Sequence, residues 1–188
     1  MLKYLVSLYS LVNANVLDDY VAKEEDVYNW YQEANGTFNT YFGNTAHILN
    51  VTSLTWLDES KARGPRGAIW DHRIAVIVPK NLVHTNISSV WLTGNCNEGT
   101  HSTELTKGDG DLLLMDELAH NTGTVTVVVK QIPNCHIHFP SDPDDVARSE
   151  DKMIAWTWRQ YIDDPDHNPE WLARLPMVKG AFQTMRAA

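Results

Sequence analysis

Hydrophobic positions in the middle of the chain fall into three short unbroken runs, at residues 74–78 (IAVIV), 90–93 (VWLT) and 124–132 (TVTVVVKQI), closed by Pro79, Gly94 and Pro133. Runs of this length, without alternation and bounded by turn formers, predict strands covered on both faces. Between the last two, Asp111 is placed to cap a helix whose Leu112, Met115, Leu118 and Ala119 share one face, and Gly123 suits a left-handed end. The resulting strand–helix–strand unit is expected to be parallel with a right-handed crossover, and the sheet as a whole mainly parallel.

The flanks are less regular. Residues 15–30 mix acids with spaced aromatics and read as a leading segment that packs by its rings, whereas residues 45–56 are rich in β-branched and aromatic side chains and predict a strand. Gly64-Pro65 and three basic side chains mark residues 58–67 as a surface loop. Downstream, Ser149, Glu150 and Asp151 open a helix with Ile154, Trp158, Tyr161 and Ile162 as its apolar stripe. Residues 170–188 carry another helical pattern, interrupted at Pro176, with Met177, Val178, Ala181 and Met185 as the expected buried face.

Composition narrows the class. With 188 residues, 43% hydrophobic, seven Trp and seven Tyr, the chain supports one packed domain, expected over residues 15–188. A net charge of -9 without a Lys/Arg run excludes a phosphate-tracking surface, so nucleic acid is not an expected partner. Residues 1–14 read as an export signal: Lys3 is followed by a mostly apolar stretch and by Val12-Asn13-Ala14 at a cleavage position. The alternative is an N-terminal core element. No stretch approaches the ~20 apolar residues of a membrane span.

Export fits three N-glycosylation sequons, at Asn35, Asn50 and Asn86. In an oxidising compartment Cys96 and Cys135 are expected to form one disulfide; in a reducing one they would be buried thiols.

Candidate chemistry is sparse. The loop 94–102 has the glycine spacing of a phosphate loop, but Thr100 and His101 stand where Lys and Ser/Thr would be needed. Two readings remain for Gly94 and Asn95: backbone donors to an oxyanion, as in the loop after the third strand of α/β-hydrolases, or a tight turn tied down by Cys96. No Gly-x-Ser-x-Gly elbow occurs, and neither Ser102 nor Ser149 follows a strand on the required turn. His136 and His138 share one side of an extended segment but lack a third ligand, and the acidic runs 142–145 and 163–166 fit no calcium loop and read as solvated. No cofactor or metal is expected.

Several motifs together carry a family resemblance: residues 17–23 (LDDYVAK), 54–56 (LTW), 70–72 (WDH), 92–94 (LTG), 131–134 (QIPN), 149–151 (SED) with 155–158 (AWTW), and 175–179 (LPMVK). The chain resembles the PhoPQ-activated pathogenicity-related proteins, a family that includes secreted autocrine proliferation repressors. The resemblance implies an α/β-hydrolase-like fold in an extracellular or periplasmic protein, of which this chain is the N-terminal part. The elbow strand and the later acid and histidine would then lie beyond residue 188. Gly94-Asn95-Cys96 departs from the more glycine-rich turn expected there.

Three functions follow as expectations. One is a secreted binding or signalling protein with a cell-surface receptor or secreted partner. The others are the front of a secreted serine hydrolase or peptidase, and a truncated product with an open sheet edge and no activity of its own.

Overall fold

The structure, a computed structural model, describes residues 15–97 and 105–188; the expected export signal and Ser102 lie outside them. The described chain runs α1 (Val16–Ala22), β1 (Asn29–Asn39), β2 (Thr45–Thr55), β3 (Ile69–Val78), β4 (His84–Leu92), α2 (Gly110–Thr122), β5 (Thr124–Val129), α3 (Glu150–Asp163) and α4 (Arg174–Ala187), with a 3-10 turn at Pro169–Trp171 before α4. It is an α/β arrangement on one five-stranded mixed sheet of order β1-β2-β3-β5-β4.

The sheet corrects the expectation of a mainly parallel arrangement. β1/β2, β2/β3 and β3/β5 are antiparallel, and only β4/β5, joined through α2, is parallel. The apolar runs of β3 and β5 correctly report coverage, but the run in β4 does not, since Trp91 and Leu92 are exposed; in neither case does coverage carry direction. Residues 56–68 return β3 beside the end of β2 and force the antiparallel pairing, whereas the helix between β4 and β5 permits the parallel one.

Alternation along the strands divides the core. Ala46, Ile48, Ala75, Ile77 and Val128 face Leu112, Met115 and Ala119 of α2. Leu49, Val51, Ile74, Val127 and Val129 pack with Ala187 of α4. A third cluster, with Trp56, Trp70, Phe139 and Met153, closes one end of the molecule through edge-on ring contacts of Trp56 with Trp70 (5.6 Å) and Phe139 (6.2 Å).

Helix faces depart from the hydrophobic pattern. Asp109, not Asp111, caps α2, accepting from Leu112 N at 2.9 Å, and Gly123 ends it at φ 66° as expected. Leu118 is exposed, and its expected place is taken by the fully buried Asp116, which accepts from Thr40 Oγ1 (2.6 Å), Phe42 N (3.1 Å) and Asn44 Nδ2 (2.7 Å). α3 buries Met153 and Thr157, leaving Trp158 and Ile162 exposed. α4 continues through Pro176, tolerated in its first turn, and buries Lys179, Gly180, Ala181, Gln183 and Thr184, turning Val178 and Met185 to the surface.

Candidate functional site

The carboxyl ends of β4 and β5 lie at one end of the sheet, and the segments that follow them are tied together there. Thr93 N donates to Val129 O (2.9 Å), Gln131 N to Gly94 O (2.7 Å) and Ile132 N to Thr93 O (3.3 Å). A Cys96–Cys135 disulfide, with Cα atoms 4.9 Å apart, fastens the same two segments. Buried Asn134 reaches across to β3: its Nδ2 donates to Asp71 O (2.7 Å), and its Oδ1 accepts from Asp71 N (3.0 Å) and Asn97 Nδ2 (3.0 Å). Gln131, at φ 70°, accepts from Arg73 N through Oε1 at 2.9 Å. The WDH, LTG and QIPN motifs, far apart in sequence, therefore interlock through mutual hydrogen bonds.

Beside this lock lies a polar pocket of ≈ 290 Å³, lined chiefly by Asn50, Arg66, Asp71, Arg73, Asn97 and Gln131. Its charges are already paired: Arg66 Nη1 grips both oxygens of Asp71 (2.6 and 2.7 Å), and Arg73 forks onto Glu33 through Nε (2.8 Å) and Nη2 (2.7 Å to the other oxygen). Thr52 also donates to Asp71 at 2.7 Å. Such a pocket favours neutral hydrogen-bonding groups over a free anion, because each guanidinium already holds a carboxylate.

On the opposite side of β2 and β3, Ser53 Oγ and His72 Nε2 are 2.8 Å apart, a pair absent from the sequence-based candidates. His72 Nδ1 lies 3.1 Å from Gln131 O; that oxygen only accepts, so Nδ1 carries the proton and Nε2 accepts from Ser53. Burial pulls the His72 pKa down from 6.5 to about 4, against the raising influence of the Gln131 carbonyl and Asp71. These are the atoms of a nucleophile and a base, both buried, with His72 also bordering the polar pocket. Ser53 and His72 are both buried, and α4 crosses over them so closely that a Cβ at Gly180 would sit 3.2 Å from His72 Nε2. The signal available in the sequence was the histidine of WDH, but neither period nor motif could pair it with Ser53.

Gly94 and Asn95 do follow β4, and Asn95 takes a left-handed turn at φ 79° with its Oδ1 accepting from Cys96 N (3.0 Å). Glu150, at the start of α3, packs onto the turn: a Cβ on Gly94 would meet Glu150 Oε1 at 2.5 Å. A carboxylate there supplies negative potential where an oxyanion requires positive. His138 pairs with Asp145 (3.0 Å), and no group of three His, Cys, Asp or Glu side chains among the described residues could hold a metal ion. The acidic run 142–145 is not wholly solvated: Asp142 is buried and accepts from Arg148 Nη2 (2.5 Å), Asp144 N and Val146 N. Burial raises its pKa, but these donors hold it below the usual carboxylate range. Among the sequons, Asn35 and Asn86 are exposed; Asn50 is half-buried and donates to Glu33 Oε1 at 2.9 Å.

A second convergence joins the two ends of the described chain. Lys179 of the LPMVK motif, fully buried, donates from Nζ to Lys23 O and Glu25 Oε1, both at 2.5 Å, and lies 5.2 Å from the Tyr20 ring of the LDDYVAK motif. Glu25 in turn accepts from Thr55 N at 3.2 Å, pinning the end of β2. Burial, then the nearby Glu25 and Glu170 carboxylates, drives the Tyr20 pKa upward.

Fold and site together define an α/β protein with one parallel strand–helix–strand unit on an otherwise antiparallel sheet, its strand ends locked by a disulfide and a side-chain amide network. It belongs to the PhoPQ-activated pathogenicity-related protein family, whose model matches residues 17–188. It is 34% identical over 183 residues to autocrine proliferation repressor protein A of Dictyostelium discoideum, covering 97% of this chain and 34% of that protein. The chain thus spans about a third of the length of this curated relative. No solved structure matches it.

Proposed function

We propose that the protein is exported and acts by binding, as a signalling factor recognised by a cell-surface receptor or a secreted partner. The observation that carries this reading is the extended likeness to a relative named for autocrine repression of proliferation, across nearly all of this chain. The geometry is compatible with it: the paired serine and histidine are sealed in the core, Glu150 crowds the one candidate oxyanion turn, and the family motifs serve to interlock the sheet end. Purified protein applied at increasing dose to cells of the encoding species should slow their growth; unchanged growth at every dose would remove the main support.

A second reading is the N-terminal part of a secreted α/β-hydrolase-like serine hydrolase or peptidase. The observation favouring it is the parallel β4–α2–β5 unit with a glycine turn at the end of β4, the place from which such enzymes supply an oxyanion donor. The nucleophile, its base and the acid would come from polypeptide corresponding to the remaining length of the relative. Covalent labelling of native protein by a fluorophosphonate probe is expected on this reading, and unlabelled folded protein would sink it.

A further inference from the structure

Asn50, Asp71 and Arg73 alternate along β2 and β3 with Leu49, Val51, His72 and Ile74, which pack toward α4, so the polar pocket opens on the other face of the sheet. Its lining comes from residues 50–131, and the WDH and QIPN motifs both contribute to it. The walls are braced from behind. Arg63 and His138 exchange two backbone hydrogen bonds of 2.8 Å, and Gly64 and Gly67 exchange two more (2.7 and 3.1 Å), which fixes the loop carrying Pro65 and Arg66. Gln131 is held in the left-handed region at φ 70°, and backbone strain of this kind collects at ligand sites.

The chemistry of the lining selects a ligand class. Arg66 and Asp71 set a guanidinium beside a carboxylate, while Arg66 Nε and Nη2 and Asn50 Oδ1 make no hydrogen bond among the described residues. Donors and acceptors therefore alternate over a few ångströms, and a pair of adjacent hydroxyls, each able to donate and accept at once, matches them. Both guanidinium groups already hold a carboxylate, which disfavours a charged ligand. Of the described lining residues only Pro65 is apolar, so a nucleobase or a lipid chain finds no surface to cover, and ≈ 290 Å³ suits one sugar ring. We infer that this pocket binds a neutral pyranose, one unit of a glycan. The inference deepens the binding reading and rests on it for the partner, which is then a glycoconjugate. Vicinal hydroxyls bridge Arg66 and Asp71, and a third hydroxyl donates to Asn50 Oδ1.

The test titrates full-length protein with methyl α-mannopyranoside, methyl β-galactopyranoside and methyl β-glucopyranoside, followed by NMR, with glucuronate and glucosamine as charged counterparts. At least one neutral glycoside is expected to bind saturably with a Kd of roughly 1 mM, and both charged sugars at least about tenfold more weakly. Arg66→Ala, at the half-exposed rim, should keep the melting temperature and weaken binding at least roughly tenfold. Asn50→Leu should weaken it similarly; if that variant is destabilised, Arg66→Ala decides alone. Lys107→Ala, outside the pocket, should bind as wild type does. No saturable binding of any glycoside, a charged sugar binding as tightly as the neutral ones, or affinity unchanged in Arg66→Ala would each overturn the inference. Polypeptide filling the pocket in the full-length protein would give the first of these results. Wild type that binds a glycoside yet leaves cell growth unchanged supports the pocket and removes the signalling reading. Wild type that slows growth without binding any glycoside overturns the inference and leaves that reading standing.

Discussion

Lys179 offers the sharpest perturbation, because its ammonium is fully buried and its partners come from the other end of the chain. At 2.5 Å from Glu25 and with an effective dielectric near 20, the gross attraction is roughly 7 kcal/mol, much of it offset by the desolvation of both charges. Truncation by Lys179→Ala removes the attraction but leaves the Glu25 carboxylate, only 11% exposed, without its cation and the Lys23 carbonyl without a donor. The expected cost is about 3–5 kcal/mol, the range for breaking one side of a buried pair, and the melting temperature should fall by roughly 10 °C. Urea unfolding followed by Trp fluorescence reads it directly. Lys179→Met with Glu25→Gln keeps the packed stem and an acceptor for Thr55 N, so the double variant should come within about 1 kcal/mol of wild type and lose less than the sum of Lys179→Met and Glu25→Gln measured singly. A loss under about 1 kcal/mol for Lys179→Ala, or additive single effects, would refute the role assigned to this pair.

Three further outcomes follow from the same geometry. His72 is held neutral by burial, so as pH falls the unfolded chain takes up its proton first. Stability should be intact above about 6.5 and decline by up to roughly 3 kcal/mol as pH approaches about 4, and His72→Asn should flatten that decline in pH-dependent urea titrations. Removing the disulfide with Cys96→Ser and Cys135→Ser frees a loop of sequence separation 39 and should cost at most about 4 kcal/mol by denaturant midpoint, with no loss in wild type treated only with an alkylating agent. Gly123→Ala places a Cβ 2.8 Å from Val83 Cγ2 and 3.0 Å from Asn81 O at φ 66°, so it should destabilise by roughly 1–3 kcal/mol; thermal stability equal to wild type would contradict the close approach.

Local patterns identified most of the elements and little of their arrangement. The apolar runs at residues 74–78 and 124–132 located β3 and β5, and Gly123 located the end of α2, since burial on two faces and a left-handed residue each leave a mark within a few positions. β1 went unrecognised because only Gly36 is buried along its length, so no alternation separates its faces. Of the face expected to be buried in α4, Ala181 is buried and Met177 packs against the core, but Val178 and Met185 are exposed. The sheet receives Gly180, Ala181 and Thr184, because the backbone passes too close to His72 for larger side chains.

The candidate site divides in the same way. Residue types and spacing along the chain were enough to place Gly94 and Asn95 just after a strand and to pair Cys96 with Cys135. Strand direction, the sealing of Ser53 and His72 beneath α4, the carboxylate of Glu150 on the Gly94 turn, and the pairing of Lys179 with Glu25 depend on contacts between residues distant in sequence. Local propensity has no term for such contacts: a strand's faces are encoded in its own alternation, but its neighbours and their direction are set only when the connections close and the helices choose which side to bury.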